Sequence, residues 1–492
     1  MGRLMNGREY LQSLRRLKPT LYFMGRRIES VADEPMLRPH VQAAALTYEL
    51  AHDPRYQEIM TATSHLTGER INRFTHIHQG PGDLVRKVEM MRLLGQKTGS
   101  CFQRCVGLDA LNSLYIVTYE IDQKLGTEYH RRFVEYLKRV QGEDLMCSGS
   151  VTDVKGDRSL RPHQQPDPDL YVRVVERRED GIVVRGAKAH QTGAANSHEV
   201  VVLPTRALGP EDKDYAVAFS VPVDAPGLIQ VLGRQTNDTR RLEGEIDCGN
   251  PKYGIVGGET LMIFNDVFVP WERVFMCGEY EFAGRLVEVF ATFHRQNYGG
   301  CKVGVADVLI GASALLAEYS GIAGSAHVED KLTEMIHLAE TCWCCSLACS
   351  YRGLRTPSGA YWPDPLLANV VKLNITRLPF EWSRLAQDLA GGLVTTAPSE
   401  RDLRSPEVGK LVEKYLARKE GVPSEHILRL FRLVENLAVG GGLPECMHGA
   451  GSPQAQKIVI RRRGGIEEKK RLARIIAGLE RDEHLEKIVG KG

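Results

Sequence analysis

The chain has 492 residues, with 64 Lys and Arg against 62 Asp and Glu and a net charge of +2. That near balance gives no ground for nucleic acid or an anionic membrane as a partner. The length allows a large buried core and two or three domains.

The opening stretch, MGRLMNGREYLQSLRRLKP, lacks the apolar core of a signal peptide. No uninterrupted apolar run approaches the ~20 residues of a membrane span. A soluble cytoplasmic protein is the expectation, with its eleven cysteines mostly reduced. Their odd number and scattered spacing speak against a disulfide framework. Residues 1–145 read as a helical domain, because HVQAAALTYELAHD and EYHRRFVEYLKRVQ carry apolar residues at three- and four-residue steps. Turn formers then crowd SGSVTDVKGDRSLRPHQQPDPD. LYVRVVERREDGIVVRGAKAH, HEVVVLPTRAL, AVAFSVPV and LMIFNDVFVP have the β-branched content of short strands, so 146–276 read as a β domain. Past Trp271-Glu272-Arg273 helical periodicity returns, and 277–492 read as a helical bundle with a tail. Arg461-Arg462-Arg463 sits in that charge-mixed tail and reads as a solvated helix end. The class is α+β and multidomain.

Two stretches concentrate cysteine. CWCCSLAC lies in a strongly helical segment, and Cys342, Cys345 and Cys349 fall on one face. Free cysteine packs as a small hydrophobe, so helix packing is the expectation there. CFQRC places Cys101 and Cys105 four apart, which on a helix is one face and one turn. Alone, the pair reads more readily as two buried cysteines than as half a cluster. FHRQNYGGCKVG alters the balance: His294 and Cys301 are seven apart, about two helical turns. Gly299-Gly300 would weaken that helix and let backbone approach something closely. Three thiolates and one imidazole complete a four-ligand set, suited to zinc or to an iron–sulfur cluster with one histidine ligand. Spacing does not choose between them. Gln103, Tyr298 and Lys302 beside the set suit a reactive centre better than a closed structural one.

Two carboxylates stand out. Glu259 follows a glycine pair at the start of an apolar strand, and Glu445 lies in the glycine-rich GGGLPECMHGAGSPQAQ. Each would alone read as a solvated or capping residue. KAHQTGAANSHE offers Thr192 and backbone amides in a small-residue turn, suited to the polar edge of a cofactor, though a plain hairpin explains it nearly as well. No G-x-G-x-x-G follows a strand, so a dinucleotide here would not sit on a Rossmann motif.

NGREYLQSLR, VTDVKGDR, HQTGAANSHE, VFVPWERVF and HGAGSPQAQ together resemble the flavin-dependent 4-hydroxyphenylacetate hydroxylase superfamily, essentially end to end. The C-x₃-C plus H-x₆-C set is similar to the branch that dehydrates 4-hydroxybutyryl-CoA and is absent from the monooxygenase branch. The resemblance implies an acyl-CoA dehydrogenase-like fold, with an N-terminal helical domain, a middle β domain and a C-terminal four-helix bundle, assembled as a homotetramer. It implies a [4Fe–4S] cluster on Cys101, Cys105, His294 and Cys301. It also implies FAD at Thr152, Asp153, Lys155, Asp157, Arg158, His190, Gln191 and Thr192. Gln387 and Gly391-Gly392 are candidates for a contribution across a subunit contact. The implied reaction is a flavin and iron–sulfur ketyl-radical dehydration of the acyl-CoA thioester to crotonyl-CoA, with isomerisation of vinylacetyl-CoA. His294, Glu445, Glu259, Tyr298, Lys302 and Gln103 would serve proton transfer and positioning. An FADH₂-dependent aromatic hydroxylase of the same superfamily is the alternative.

Overall fold

In the computed structural model, residues 3–236, 238–253, 258–440 and 442–481 are described. The chain starts with the helix Gly7–Arg16, entered through a capping box in which Asn6 accepts from the Glu9 amide and Glu9 accepts from that of Asn6. Helices Arg38–Glu49, Pro81–Thr98, Cys105–Leu125 and Tyr129–Gly142 follow. The N-terminal region is not helix alone. Thr20–Phe23 leaves it to pair in parallel with Leu228–Leu232, Thr20 opposite Ile229.

That pairing joins a six-stranded sheet, ordered Arg26–Arg27, Thr20–Phe23, Leu228–Leu232, Thr260–Pro270, Gly181–Gln191, Arg173–Arg177. A four-stranded sheet runs Val274–Cys277, Val217–Pro222, Glu199–Val202, Cys147–Ser150. Buried valines and phenylalanines of both sheets form one core with the helices Cys105–Leu125 and Tyr129–Gly142. The long antiparallel pair sets Gln191 opposite Thr260. One residue beyond the end of each strand, Thr192 and Glu259 therefore meet.

The second half is built on Tyr280–Tyr319, a helix of 40 residues. It packs against Ala326–Tyr351, Pro365–Ile375, Leu378–Ala390 and Ser424–Ala438. On its other side it meets Pro81–Thr98 and Cys105–Leu125 from the first domain. By length and hydropathy (1.6 over its best window) it could cross a bilayer, but half of that window is buried inside the fold. Gly299-Gly300 does not interrupt it. A Cβ on Gly299 would strike Ser346 and the Cys342 carbonyl, and one on Gly300 or Gly304 would strike the carbonyl of Val88 or Arg92. The close approach these glycines permit is therefore helix against helix.

Candidate active site

The cysteine pair is not one turn of a helix. Gly99, in the left-handed region at φ 55°, ends Pro81–Thr98, and the next helix begins only at Cys105. Cys101 lies in the intervening turn, which Gln103 redirects at φ 73°. Gln103 is fully buried. Its amide donates to the His40 carbonyl (2.8 Å) and accepts from Asn196 Nδ2 (2.8 Å), bracing this turn against the one after Thr192. A Cβ on Gly193 would collide with Gln103, so only glycine lets the two turns touch.

All eleven cysteines are free thiols. Burial pushes Cys105 well above its ordinary pKa, with the charges of Cys101 and Cys301 adding to the effect. Burial likewise raises Cys101, helped by Glu445, and takes Cys301 to about 12. Thiols so placed ionise only beside a compensating cation. Among the described residues, no three His, Cys, Asp or Glu side chains close on a single ion.

His294, Tyr298, Cys301 and Lys302 share the long helix at four- and seven-residue steps, hence one face. His294 Nδ1 is 2.8 Å from Asp109 Oδ2, which also accepts from Asn297 Nδ2 at 2.6 Å. Lys87 Nζ lies 2.7 Å from the other oxygen, Asp109 Oδ1, and donates to the Phe293 carbonyl at 3.0 Å. Lys87, Asp109 and Asn297 are wholly buried. The carboxylate fixes the ring plane, a placement typical of the outer partner of a histidine that could ligate a metal through Nε2.

Glu445, on the short helix Gly442–His448, forms an ion pair with Lys302 and accepts from Tyr298 Oη at 3.3 Å. Burial would raise its pKa, but the Lys302 charge outweighs burial and holds the carboxyl below the usual range. The paired Glu445 charge in turn lifts Lys302 against its burial penalty. Beside them is an apolar cavity of ≈ 50 Å³ lined by Cys101, Lys302, Ala306, Trp382, Leu437 and Cys446.

Thr192 Oγ1 is 3.3 Å from Glu259 Oε1. Gln191 Nε2 donates to the Thr152 carbonyl at 3.0 Å. Next to them, His190 is exposed at φ 58°. Burial lowers its pKa, and the charges of Lys155 and His448 act in the same direction. Because Lys155 belongs to VTDVKGDR and His448 to HGAGSPQAQ, the β-domain turn and the bundle loop both lie within electrostatic reach of His190. Lys155, Asp157 and Arg158 are exposed. Asp153 points inward, 2.6 Å from Lys188 Nζ. Gln387 is used within the bundle, donating to the Ala438 carbonyl at 3.0 Å, and Gly391-Gly392 are exposed. Gly257 and Gly441, from the glycine runs before Glu259 and Glu445, lie outside the described residues, as do 482–492 of the tail.

Sequence reasoning missed Lys87, Asp109, Asn297 and Lys372. A signal existed: Asp109 in CVGLDALNSLYIV and Lys372 in NVVKLNI are single charges in apolar helices, a placement rare unless the charge is partnered.

The family model for the 4-hydroxyphenylacetate 3-hydroxylase N terminus matches residues 6–276, and that for its C terminus matches 283–478. The chain belongs to the 4-hydroxyphenylacetate 3-hydroxylase family. Within this family, 4-hydroxybutyryl-CoA dehydratase/vinylacetyl-CoA-Δ-isomerase of Clostridium aminobutyricum is 54% identical over 491 residues, covering 97% of this chain and 100% of its own. An oxygen-tolerant archaeal 4-hydroxybutyryl-CoA dehydratase from N. maritimus superposes with a TM-score of 0.95 at 50% identity, over 98% of this chain and 96% of its own. The oxygenase component of a 4-hydroxyphenylacetate 3-monooxygenase, complexed with FAD, follows at 0.83 and 25%, over 96% and 99%. The expected acyl-CoA dehydrogenase-like fold is present.

Proposed function

We propose that this protein dehydrates 4-hydroxybutyryl-CoA to crotonyl-CoA and isomerises vinylacetyl-CoA to the same product. One observation carries the reading. Three thiols, Cys105 buried and Cys101 and Cys301 half-buried, and an Asp109-held histidine gather beside the Glu445–Lys302–Tyr298 group, in a chain 54% identical end to end to a protein of that activity. The aromatic hydroxylase alternative has the weaker support, 25% identity to the monooxygenase component.

The donor set fits a [4Fe–4S] cluster on Cys101, Cys105, Cys301 and His294 Nε2. Thr152, His190, Gln191 and Thr192 suit the polar edge of the flavin of FAD, with the exposed Lys155 and Arg158 for its phosphates. When bound, FAD would exchange single electrons with substrate, and iron would act as Lewis acid toward the departing hydroxyl. The chain's own part is proton movement and exclusion of water. Glu445, kept ionised by Lys302, accepts the α-proton of the thioester and returns it to carbon in the isomerisation. Lys302 and the Tyr298 hydroxyl keep both carboxylate oxygens fixed between those events. Glu259, hydrogen-bonded to Thr192 and within electrostatic reach of Cys101, is placed for the second proton transfer. The apolar cavity beside Lys302 suits an acyl chain. A cytoplasmic homotetramer completes the proposal; Ile476 and Leu479, 89% and 78% exposed in the single chain, support a further subunit contact.

The test is an anaerobic assay of both CoA esters on purified protein, with an aerobic FADH₂-dependent assay on 4-hydroxyphenylacetate beside it. Conversion of both esters is expected. Hydroxylation without ester conversion would replace this reading with its alternative.

A further inference from the structure

The helix Pro365–Ile375 carries two buried polar side chains directed at the segment that bears Glu445. Lys372, fully buried, donates to the Cys446 carbonyl, and its Nζ is 4.4 Å from the centre of the Tyr298 ring. Asn369, one turn earlier, accepts from Arg295 Nη1 at 2.6 Å, and Arg295 Nε donates to the Ala450 carbonyl at 3.0 Å. The carbonyls at the two ends of 446–450 are thus held by one helix, directly at Cys446 and through Arg295 at Ala450.

The held segment needs this. Gly442–His448 is seven residues long, too short to be stable by itself. Ala450 follows in the left-handed region at φ 56°, uncommon for a residue with a Cβ. At Gly449 a Cβ would strike the Tyr298 hydroxyl, so the turn presses on the same ring that Lys372 underlies. Lys372 makes no direct ion pair among the described residues, and burial brings its pKa down to about 8 although the nearby Cys446 and Glu445 charges oppose it. A methionine would fill the same space without that penalty. A buried amine gripping one carbonyl and one ring is thus unfavourable on packing grounds, and both of its contacts adjoin Glu445.

We propose that Lys372 is the positioning residue for Glu445: by gripping the Cys446 carbonyl and the Tyr298 ring it aims the carboxylate at substrate. Asn369, acting through Arg295, closes the other end of the clamp. The inference rests on the reading of Glu445 as the proton carrier.

The test is a double-mutant cycle on FAD- and iron-loaded enzyme, with vinylacetyl-CoA isomerisation as the assay. Misplacing a reacting group by about 1 Å costs about 10²-fold, so Lys372→Met should lower kcat by about that factor with KM little changed. Lys372→Gln, which can still donate to the carbonyl, should recover most of the loss. In a Glu445→Gln background neither substitution should lower the rate further, because the group they aim is already gone. FAD and iron content should match the parent. A Lys372→Met enzyme with the parent rate, or full multiplication of the two losses, would overturn the clamp. Should Lys372→Met fail to fold, the Lys372→Gln and Asn369→Ala cycles decide by the same criterion. Parent rates in Glu445→Gln alone would instead remove the reading of Glu445 itself.

Discussion

Two cysteine-bearing stretches lean on the same long helix. Cys342, Cys345 and Cys349 on Ala326–Tyr351 approach it at Gly299, where the Cys342 carbonyl would meet any added Cβ. The Cys101–Cys105 turn reaches it through Pro81–Thr98, whose Gly95 sits against the Cys301 carbonyl. The first stretch is the denser, but its surroundings are those of a packing face. Cys342 and Cys349 are wholly buried, Cys345 half-buried and Cys344 exposed. Cys345 lies near the Asn374 amide, and Cys349 donates to the Asp364 carbonyl at 3.4 Å, with the charges of Asp364 and Lys87 reaching it. Around Cys101, Cys105 and Cys301 stand Glu259, Glu445, Lys302 and Asp109. Those residues arrive from four distant parts of the chain. Cysteine density follows helix packing; reactivity follows the charged groups brought in from elsewhere.

Removing a thiol from each stretch should break the comparison most sharply. Cys301→Ala should lose iron and, with it, dehydration down to background, while keeping FAD and some isomerisation. Cys342→Ala should keep all of these. Iron analysis and the two CoA-ester assays on both variants measure the contrast, and dehydration by iron-free Cys301→Ala would sink the Lewis-acid role.

Next in size is Glu445→Gln, which leaves the thiols intact. General acid–base groups contribute about 10²–10⁴-fold, and a loss in that range is expected for both reactions. Equal rates in variant and parent would place the proton chemistry elsewhere, with Glu259 the next carboxylate to test.

Asp109→Asn tests a smaller effect. Outer partners of metal ligands typically contribute about 10–100-fold in metal affinity or activity. The amide keeps the shape but presents an NH₂ to either Lys87 or His294. Iron should be lost to a chelator faster than from the parent, with FAD unaffected. Unchanged iron release would show that the Asp109–Lys87 pair serves folding alone.

How much of this was legible varied with the range of the interaction that fixed it. The face shared by His294, Tyr298, Cys301 and Lys302 follows from helical periodicity, and the middle strands from their alternation. Thr192 and Glu259 could be singled out by their turns, but their meeting depends on a strand register that no local pattern states. The parallel pairing of Thr20–Phe23 with Leu228–Leu232 is more distant still. CFQRC looked helical because its spacing fits a turn; the left-handed Gln103 comes from its bonds to His40 and Asn196, both remote in sequence. Asp109 and Lys372 were visible as lone charges, but their partners were not; Lys87 is one of several charges on Pro81–Thr98 and did not stand out.

The smallest expected effect sharpens the comparison inside CWCCSLAC itself. The thiolate is the reactive form of cysteine, and access governs its rate of alkylation. Cys344 is exposed, whereas burial pushes the Cys342 pKa up to about 12 and raises that of Cys349 further. The native protein treated with iodoacetamide near neutral pH should therefore carry label on Cys344 well before Cys342 or Cys349, as read by peptide mass spectrometry. Cys345, half-buried and 3.9 Å from Asn374 Nδ2, should fall between them. Denaturant should abolish the ranking, because the differences come from burial rather than from local sequence. Early labelling of Cys342 in folded protein would mean that this helix opens away from Gly299. The packing account of the denser cysteine stretch would then have to be given up.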